Sequence, residues 1–185
     1  MPALEDLAPS HYYVWFEESS NQLVANGRIP IEGGDLTFQR GNGNDKTIYY
    51  SGKATFMAES NTGTGSQRNV IIGVNLLARN LDGSEANSFP HANLLGFMAD
   101  NDIILGDNAQ IAIMGGFYAQ NTVRVNRQTT VMGTLVGNQF DMGTNVPEVY
   151  QVPELANAWE PNMRMIGANP IIFLSRVSWR EFGVR

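Results

Sequence analysis

Three aspartates, Asp100, Asp102 and Asp107, lie close together in the phrase ADNDIILGDN. Two carboxylates on neighbouring turns of a strand-rich coil would suit a polysaccharide hydrolase or lyase, in which paired acidic groups handle the proton transfers. Aspartate is also a turn residue, because its side chain hydrogen-bonds nearby backbone. Matching positions further along the chain hold Gln120 and Asn138, so no second acidic set appears. The sequence therefore favours turn residues here, with a polysaccharide-acting enzyme as the alternative.

Other patterns that bind metals, phosphate or nucleophiles are missing from the sequence. The polar loops at 40–45 (RGNGND) and 60–66 (SNTGTGS) lack both the EF-hand spacing and the Gly-Lys-Ser/Thr ending of a phosphate loop. His11 and His91 stand far apart and the chain has no cysteine, which argues against a zinc site and excludes disulfides. No G-x-S-x-G elbow is present. We therefore expect no catalytic residues, metal or cofactor.

The charge balance argues against a general nucleic-acid binder. The chain carries 12 Lys and Arg against 18 Asp and Glu, a net charge of −6, and such a field repels phosphate. Arginines are concentrated in the C-terminal part, and aromatic rings there could stack on bases. The arginines are Arg124, Arg127, Arg164, Arg176, Arg180 and Arg185, and the rings are Tyr118, Tyr150 and Trp159. Scattered arginines also protect sheet edges from unwanted pairing, and this interpretation is favoured.

The elements that would hold these residues recur along the chain. A unit of short apolar strands, glycines and polar corners occurs at 47–58, 97–105, 110–125 and 129–142. The Met-Gly pairs of the last two copies begin at Met114 and Met132, so their offset is 132 − 114 = 18. A repeat of about 20 residues built from short strands is typical of a solenoid, in which each turn covers its neighbour.

Matched residue types predict columns of side chains along the coil. If windings stack in parallel, Phe97, Phe117 and Leu135 form one file with a spacing of about 4.8 Å. Two further files, and polar residues at the next corner, follow from the same alignment: Met98, Tyr118 and Val136; Ala99, Ala119 and Gly137; Asp100, Gln120 and Asn138, with Asn101 and Asn121 beside them. Small residues indicate a corner, and stacked amides can cover turn backbone. Another all-β arrangement, such as a sandwich, is the main competitor.

We therefore predict an all-β fold, a parallel β-helix (β-solenoid) with short capping strands at its ends and two protruding loops, at 60–68 and 80–92. Three segments follow from this: 1–28 as an N-terminal segment with capping strands, 29–145 as the solenoid, and 146–185 as a proline-rich segment with a closing strand. Hydrophobic residues make up 43% of the chain, which excludes a disordered tail. The first residues are acidic and interrupted by Pro2 and Pro9, unlike a signal peptide.

Several phrases carry a family resemblance that covers roughly residues 10 to 182. They are YYSGKATFMA, GGFYAQNTV, VPEVYQVP and the closing SWREF. The chain resembles the β-solenoid domain of large PilX-like and ComZ-like minor pilins of competence-associated type IV pili, and more distantly the bactofilins. The resemblance implies an extracellular module at or near a pilus tip, without catalytic residues. The hydrophobic helix by which pilins enter the filament is missing, which predicts a fragment of a longer exported chain, or else a stand-alone relative.

These observations predict a non-enzymatic structural, adhesive or DNA-contacting tip domain on the cell surface. The expected partners are other pilins or surface ligands, with DNA a weaker alternative and no membrane contact by this segment. The alternatives are the polysaccharide-acting enzyme, a bactofilin-like polymerising scaffold and, if the chain is complete, a cytoplasmic location. The two loops and nearby basic residues supply the candidate binding residues. They are Asn61, Thr62, Thr64, Gln67, Arg68, Asp82, Glu85, His91, Arg124 and Arg127.

Overall fold

The computed structural model describes residues 12–39, 46–59, 68–85, 87–106, 110–142 and 146–158. Within these ranges the chain is almost entirely β, with one short helix, α1 (Leu155–Ala158), and an irregular helical turn at Ser88–Ala92. The strands are β1 (Tyr13–Glu17), β2 (Gln22–Glu32), β3 (Leu36–Phe38), β4 (Thr47–Ser51), β5 (Lys53–Glu59), β6 (Val70–Ile72), β7 (Asn75–Ala78), β8 (Leu94–Ala99), β9 (Ile103–Leu105), β10 (Ile111–Val125), β11 (Thr129–Asp141) and β12 (Glu148–Gln151). No helical segment of the described residues is long and apolar enough to cross a membrane.

The strands wind into a coil with three faces. Face A consists of the first part of β2, then β4, β7, the first parts of β10 and β11, and β12. Face B consists of the second part of β2, then β5, β8 and the middle of β10 and β11. Face C consists of β3, β6, β9 and the last parts of β10 and β11. All these pairings are parallel, so the predicted parallel β-helix is confirmed. β2 (Gln22–Glu32) includes residue 28, at which the predicted N-terminal segment ends and the predicted solenoid begins.

The register confirms the predicted file of side chains. Phe97 pairs with Phe117 and Phe117 with Leu135, and the file extends backwards to Phe56 and Ile29. The rings of Phe56, Phe97 and Phe117 are stacked with centroids 5.7 and 5.3 Å apart and planes within 9°. Each such pair contributes about 0.5–1.5 kcal/mol beyond the area that it buries. The core therefore runs along the axis of the coil as a ladder of like residues.

The corners of the coil explain the small residues of the repeat. At the corner between faces A and B, Gly115 and Gly133 have φ angles of +153° and +146°, which side-chain-bearing residues rarely adopt. A Cβ atom on Gly115 would lie 2.7 Å from the carbonyl oxygen of Leu95 in the previous winding. At the corner between faces B and C, the file Ala99, Ala119 and Gly137 is confirmed. At this second corner a Cβ atom on Gly137 would lie 2.9 Å from a methyl group of Val123, so the position admits only glycine without a shift of its neighbours.

Two strands lie at the ends of face A. β1 belongs to the predicted N-terminal segment 1–28, and it pairs antiparallel with β2, the first strand of the coil. β12 is the last strand at the opposite end and pairs with β11. The predicted closing strand in IIFLSRVSWREF, 171–182, lies outside the described residues.

The predicted loop at 80–92 protrudes only in its first part. Residues 81–85 are exposed, but Ser88 and Pro90 are buried in the helical turn. Leu155 and Ala158 of α1 pack on Leu94 of β8, with Phe89 alongside. The second half of this excursion is therefore part of a small satellite core, because α1 covers it.

Candidate functional site

A ladder of polar side chains joins the windings where face C begins. The Asp35 side chain accepts a hydrogen bond from the backbone N–H of Asn69 at 2.9 Å. The Asn69 side chain accepts one from the backbone N–H of Asp102 at 3.1 Å. The Asp102 side chain in turn accepts one from the backbone N–H of Thr122 at 3.0 Å. The register explains this order, because each of these residues directly precedes a face C strand residue that is paired with the next winding. Each side chain thus satisfies a backbone donor one winding further on.

A second row of amides lies beside this ladder. The Asn101 side chain donates to Asn69 Oδ1 at 2.9 Å. The Asn121 side chain donates to Asp102 Oδ1 at 2.9 Å and to Asn101 Oδ1 at 3.3 Å. The stacking predicted for Asn101 and Asn121 is therefore confirmed. The corner between faces B and C is a network in which amide and carboxylate groups bind one another along the coil axis.

Asp102 is saturated by its neighbours. Its side chain is only 9% exposed, and its Oδ2 accepts a hydrogen bond from Arg124 Nε at 2.9 Å, while Oδ1 takes the two bonds described above. Arg124 also approaches Asp141 at 3.7 Å. Of the other candidate carboxylates, Asp100 forms an ion pair with Arg68 at 3.4 Å, and Asp107 lies outside the described residues. Asp102 is therefore a structural link between windings, because both of its side-chain oxygens are engaged by neighbouring donors.

Acidic side chains follow one another at the same corner. Glu32 pairs in register with Glu59, and the backbone N–H of Asp100 donates to the carbonyl of Ala58, which places Asp100 in the following winding. Burial, followed by the negative charge of Asp100, raises the pKa of Glu59 above its ordinary value. Among the described residues, no group of three or more histidines and carboxylates could hold a metal ion. The described part of this corner therefore carries a row of carboxylates, Glu32, Glu59 and Asp100, on successive windings.

The other predicted binding residues lie around the excursion between β7 and β8. The Arg79 guanidinium lies 3.2 Å from the centre of the Tyr49 ring and 3.4 Å from the Glu85 carboxylate. Asp82 accepts a hydrogen bond from the Ser84 backbone at 2.8 Å, and hydrogen bonds from Ser84 lower the pKa of Asp82. His91 is exposed on the helical turn. These contacts fix the loop against face A, because an arginine over an aromatic face is attracted by the ring.

The predicted binding residues do not form a single surface. Arg68 lies at the corner between faces B and C, and Arg124 lies on face C, each paired with aspartate. Arg127 lies between β10 and β11, where the chain returns to face A. Asp82, Glu85 and His91 belong to the excursion between faces A and B. Asn61, Thr62, Thr64 and Gln67 lie outside the described residues. The described candidates are thus divided among different parts of the coil.

Sequence reasoning missed the residues that organise these corners. Asn93 is buried, its Oδ1 accepts the Gly52 N–H at 2.7 Å, and its amide donates to Asn80 and Ser88 at 2.8 and 2.9 Å. The ladder residues did leave a signal, because Asp35, Asn69 and Asp102 each directly precede a short apolar strand, in DLTF, NVII and DIIL.

No family model matches the chain, and no curated protein matches it. One solved structure that is similar is the competence-associated pilin ComZ from Thermus thermophilus, with 23% sequence identity and a TM-score of 0.49. The match covers 81% of this chain and 30% of that protein, so the chain spans about a third of its length. The matched protein is of the kind that the sequence phrases resemble.

Proposed function

We propose that this chain is a non-enzymatic β-solenoid module of a type IV pilus minor pilin, exposed on the cell surface. The observation that carries the proposal is that polar side chains at the corners form hydrogen bonds to the next winding. Asp102, the best candidate for acid–base chemistry, has both oxygens occupied by backbone, amide and guanidinium donors. The corner chemistry serves to hold the windings together, which suits a stiff support for recognition loops.

The sequence phrases support the pilin assignment independently of the corner chemistry. VPEVYQVP contains β12 and the prolines that flank it, and GGFYAQNTV runs in β10 from the corner between faces A and B to the corner between faces B and C. These phrases therefore coincide with elements that shape the coil, as expected of a family signature that preserves a scaffold. Other pilins and surface ligands are the proposed partners.

Contact with DNA receives less support. Arg68 and Arg124 are engaged by Asp100, Asp102 and Asp141, and these carboxylates would have to give up their partners before phosphate could bind. Glu32 is exposed at the same corner, and Glu59 and Asp100 are partly exposed beside it. We therefore propose protein or glycan surfaces as the ligands of this module, with the segment 60–68 at the centre of recognition.

The proposal is tested by shortening one excursion at a time. Residues 60–67 are replaced by a short Gly-Ser link, and residues 81–84 are replaced likewise as the matched control. Binding of the labelled chain to purified pili and to cells of the source organism is then measured. We expect the first variant to keep its melting temperature but to lose most of its binding, whereas the control retains binding.

Two results would contradict the proposal. The first is hydrolase or lyase activity on acidic polysaccharides. Such activity would establish an enzyme if it disappeared in Asp100→Asn or Asp102→Asn. The second is the absence of the protein, detected by antibody, from sheared pilus and surface fractions of the source organism.

A further inference from the structure

The large apolar side chains that are exposed in the described residues lie mostly at the ends of the coil. At the N-terminal end, Tyr12, Val14, Trp15 and Phe16 are 64%, 46%, 40% and 43% exposed. Soluble monomers rarely leave such side chains next to one another without a partner. We call Tyr12 to Glu17 the N-terminal edge.

The side chains of the N-terminal edge continue the pattern of the coil. Phe16 pairs with Leu23 and Val14 with Ala25, and both of these β2 residues belong to the buried core. Residues that face each other in antiparallel strands point to the same side of the sheet, so Phe16 and Val14 extend the core side of face A. Trp15 pairs with Val24 and lies on the outer side. Among the described residues, Val14 and Phe16 therefore form a layer on the core side of face A that no further strand covers.

The two ends of face A differ in how well they resist further pairing. β1 has five residues without proline or lysine, and it pairs with β2 on one side only within the described part of the chain. β12, at the other end, has four residues, begins with Glu148 and is flanked by Pro147 and Pro153. Short length, charge and prolines prevent edge-to-edge pairing. The N-terminal edge is thus the end that can accept another strand.

We propose that the N-terminal edge binds the same edge of a second copy of this chain, with the two β1 strands antiparallel around a two-fold axis at Trp15. This register places Val14 opposite Phe16 of the second copy on the core side. It also places Tyr13 opposite Glu17, which keeps the two Glu17 carboxylates at opposite ends of the interface. Face A then continues through both copies as one sheet, and the Val14 and Phe16 layers of the two copies cover each other. Closed two-fold dimers are the commonest oligomers.

The preceding residues are poor competitors for this position. The eleven residues directly before Tyr12, MPALEDLAPSH, contain two prolines and two carboxylates, without an alternating apolar pattern. Proline removes the backbone donor that a pairing strand needs. A strand with the composition of β1 itself fits this edge better.

The absence of cysteine from the chain allows a direct test. W15C introduces a single thiol at the two-fold axis, and Y150C introduces one on β12 as the matched control. We expect the parent chain to have twice the mass of one chain in light scattering. Under mild oxidation, W15C should form a disulfide-linked dimer, while Y150C should not. Trp15→Lys should weaken dimerisation about 100-fold, as loss of a central aromatic with added like charge does, and Tyr150→Lys should not.

The inference is overturned if the parent chain is a monomer at every concentration, or if Y150C and not W15C cross-links. If the parent chain is a monomer and dimerises only after residues 159–185 are removed, the N-terminal edge is covered by the chain's own C-terminal segment, and the inference is overturned. Circular dichroism confirms that each variant is folded. If Trp15→Lys does not fold, W15C cross-linking decides the question. None of these outcomes depends on pilus location, so the proposed function is tested separately.

Discussion

The strongest quantitative prediction concerns Asp102→Ala. Removal of this side chain leaves the N–H of Thr122, which is only 5% exposed, without its acceptor. A buried donor without a partner costs about 1–3 kcal/mol. The ion pair with Arg124, which is 44% exposed, adds about 0.5–1 kcal/mol. We therefore expect a loss of about 3 kcal/mol in the free energy of unfolding, which corresponds to roughly 6–12 °C in melting temperature.

The assay can separate the two contributions. Asp102→Asn keeps an oxygen that can accept from Thr122 but loses the charge opposite Arg124, so it should cost about 1 kcal/mol. Asp100→Ala is the matched control, because its ion pair with Arg68 is partly exposed and should contribute less than about 1 kcal/mol. Urea denaturation followed by circular dichroism gives the free energies, and hydrogen exchange reports on the Thr122 amide.

Stacked windings can unfold in parts, and a free energy from urea denaturation then does not describe a two-state transition. Hydrogen exchange at single amides gives a local measure that does not depend on two-state unfolding. Faster exchange at Thr122 is expected in Asp102→Ala and not in Asp100→Ala. If Asp102→Ala loses less than about 1 kcal/mol and the Thr122 amide remains protected, the ladder does not stabilise the stacking of the windings, and the structural role given to Asp102 is refuted.

Three further predictions follow from other parts of the coil. Phe97→Ala should cost about 3–5 kcal/mol in urea denaturation, because a ring stacked on both sides is lost, whereas Met132→Ala on the outer side of face A should cost less than about 1 kcal/mol. Gly133→Ala should lower the melting temperature strongly, because its φ is +146° and a methyl group would meet the Gly115 carbonyl; an unchanged melting temperature would disprove this corner geometry. The pKa of Glu59 is higher in the folded state than in the unfolded chain. At a pH between these two pKa values the folded state binds more protons than the unfolded chain, so the free energy of unfolding falls as the pH rises through this interval. Glu59→Gln should abolish this fall and be the more stable protein at pH 7; equal stability of parent and variant across pH 4–8 would contradict it.

The sequence predicted the regular part of the coil because its repeats there have nearly equal length. Between Phe97, Phe117 and Leu135 the offsets are 20 and 18 residues, and the register follows them. In the earlier windings the offsets from Ile29 to Phe56 and from Phe56 to Phe97 are 27 and 41, since excursions interrupt them. Asp35 and Asn69 lie in these irregular windings. Their place in the ladder could not be found from spacing alone.

The candidate site shows the same division. The sequence indicated Arg124 and Asp102 separately, but their hydrogen bond depends on the stacking of β9 on β10. The sequence also grouped the excursions at 60–68 and 80–92 as two similar loops. They leave the coil between different faces, and α1 packs against the second half of the later one.

By itself, the sequence determined that this chain forms a coil, how its last windings are aligned and which small residues form corners. The reason is that a repeated pattern places its apolar residues in the core when equivalent residues of successive windings stack on one another. Only the tertiary structure decided which polar groups satisfy one another, which loop is packed and which strand edge is exposed among the described residues. Those properties depend on contacts between residues about 20 to 40 positions apart, for which excursions of unequal length leave no fixed spacing in the chain.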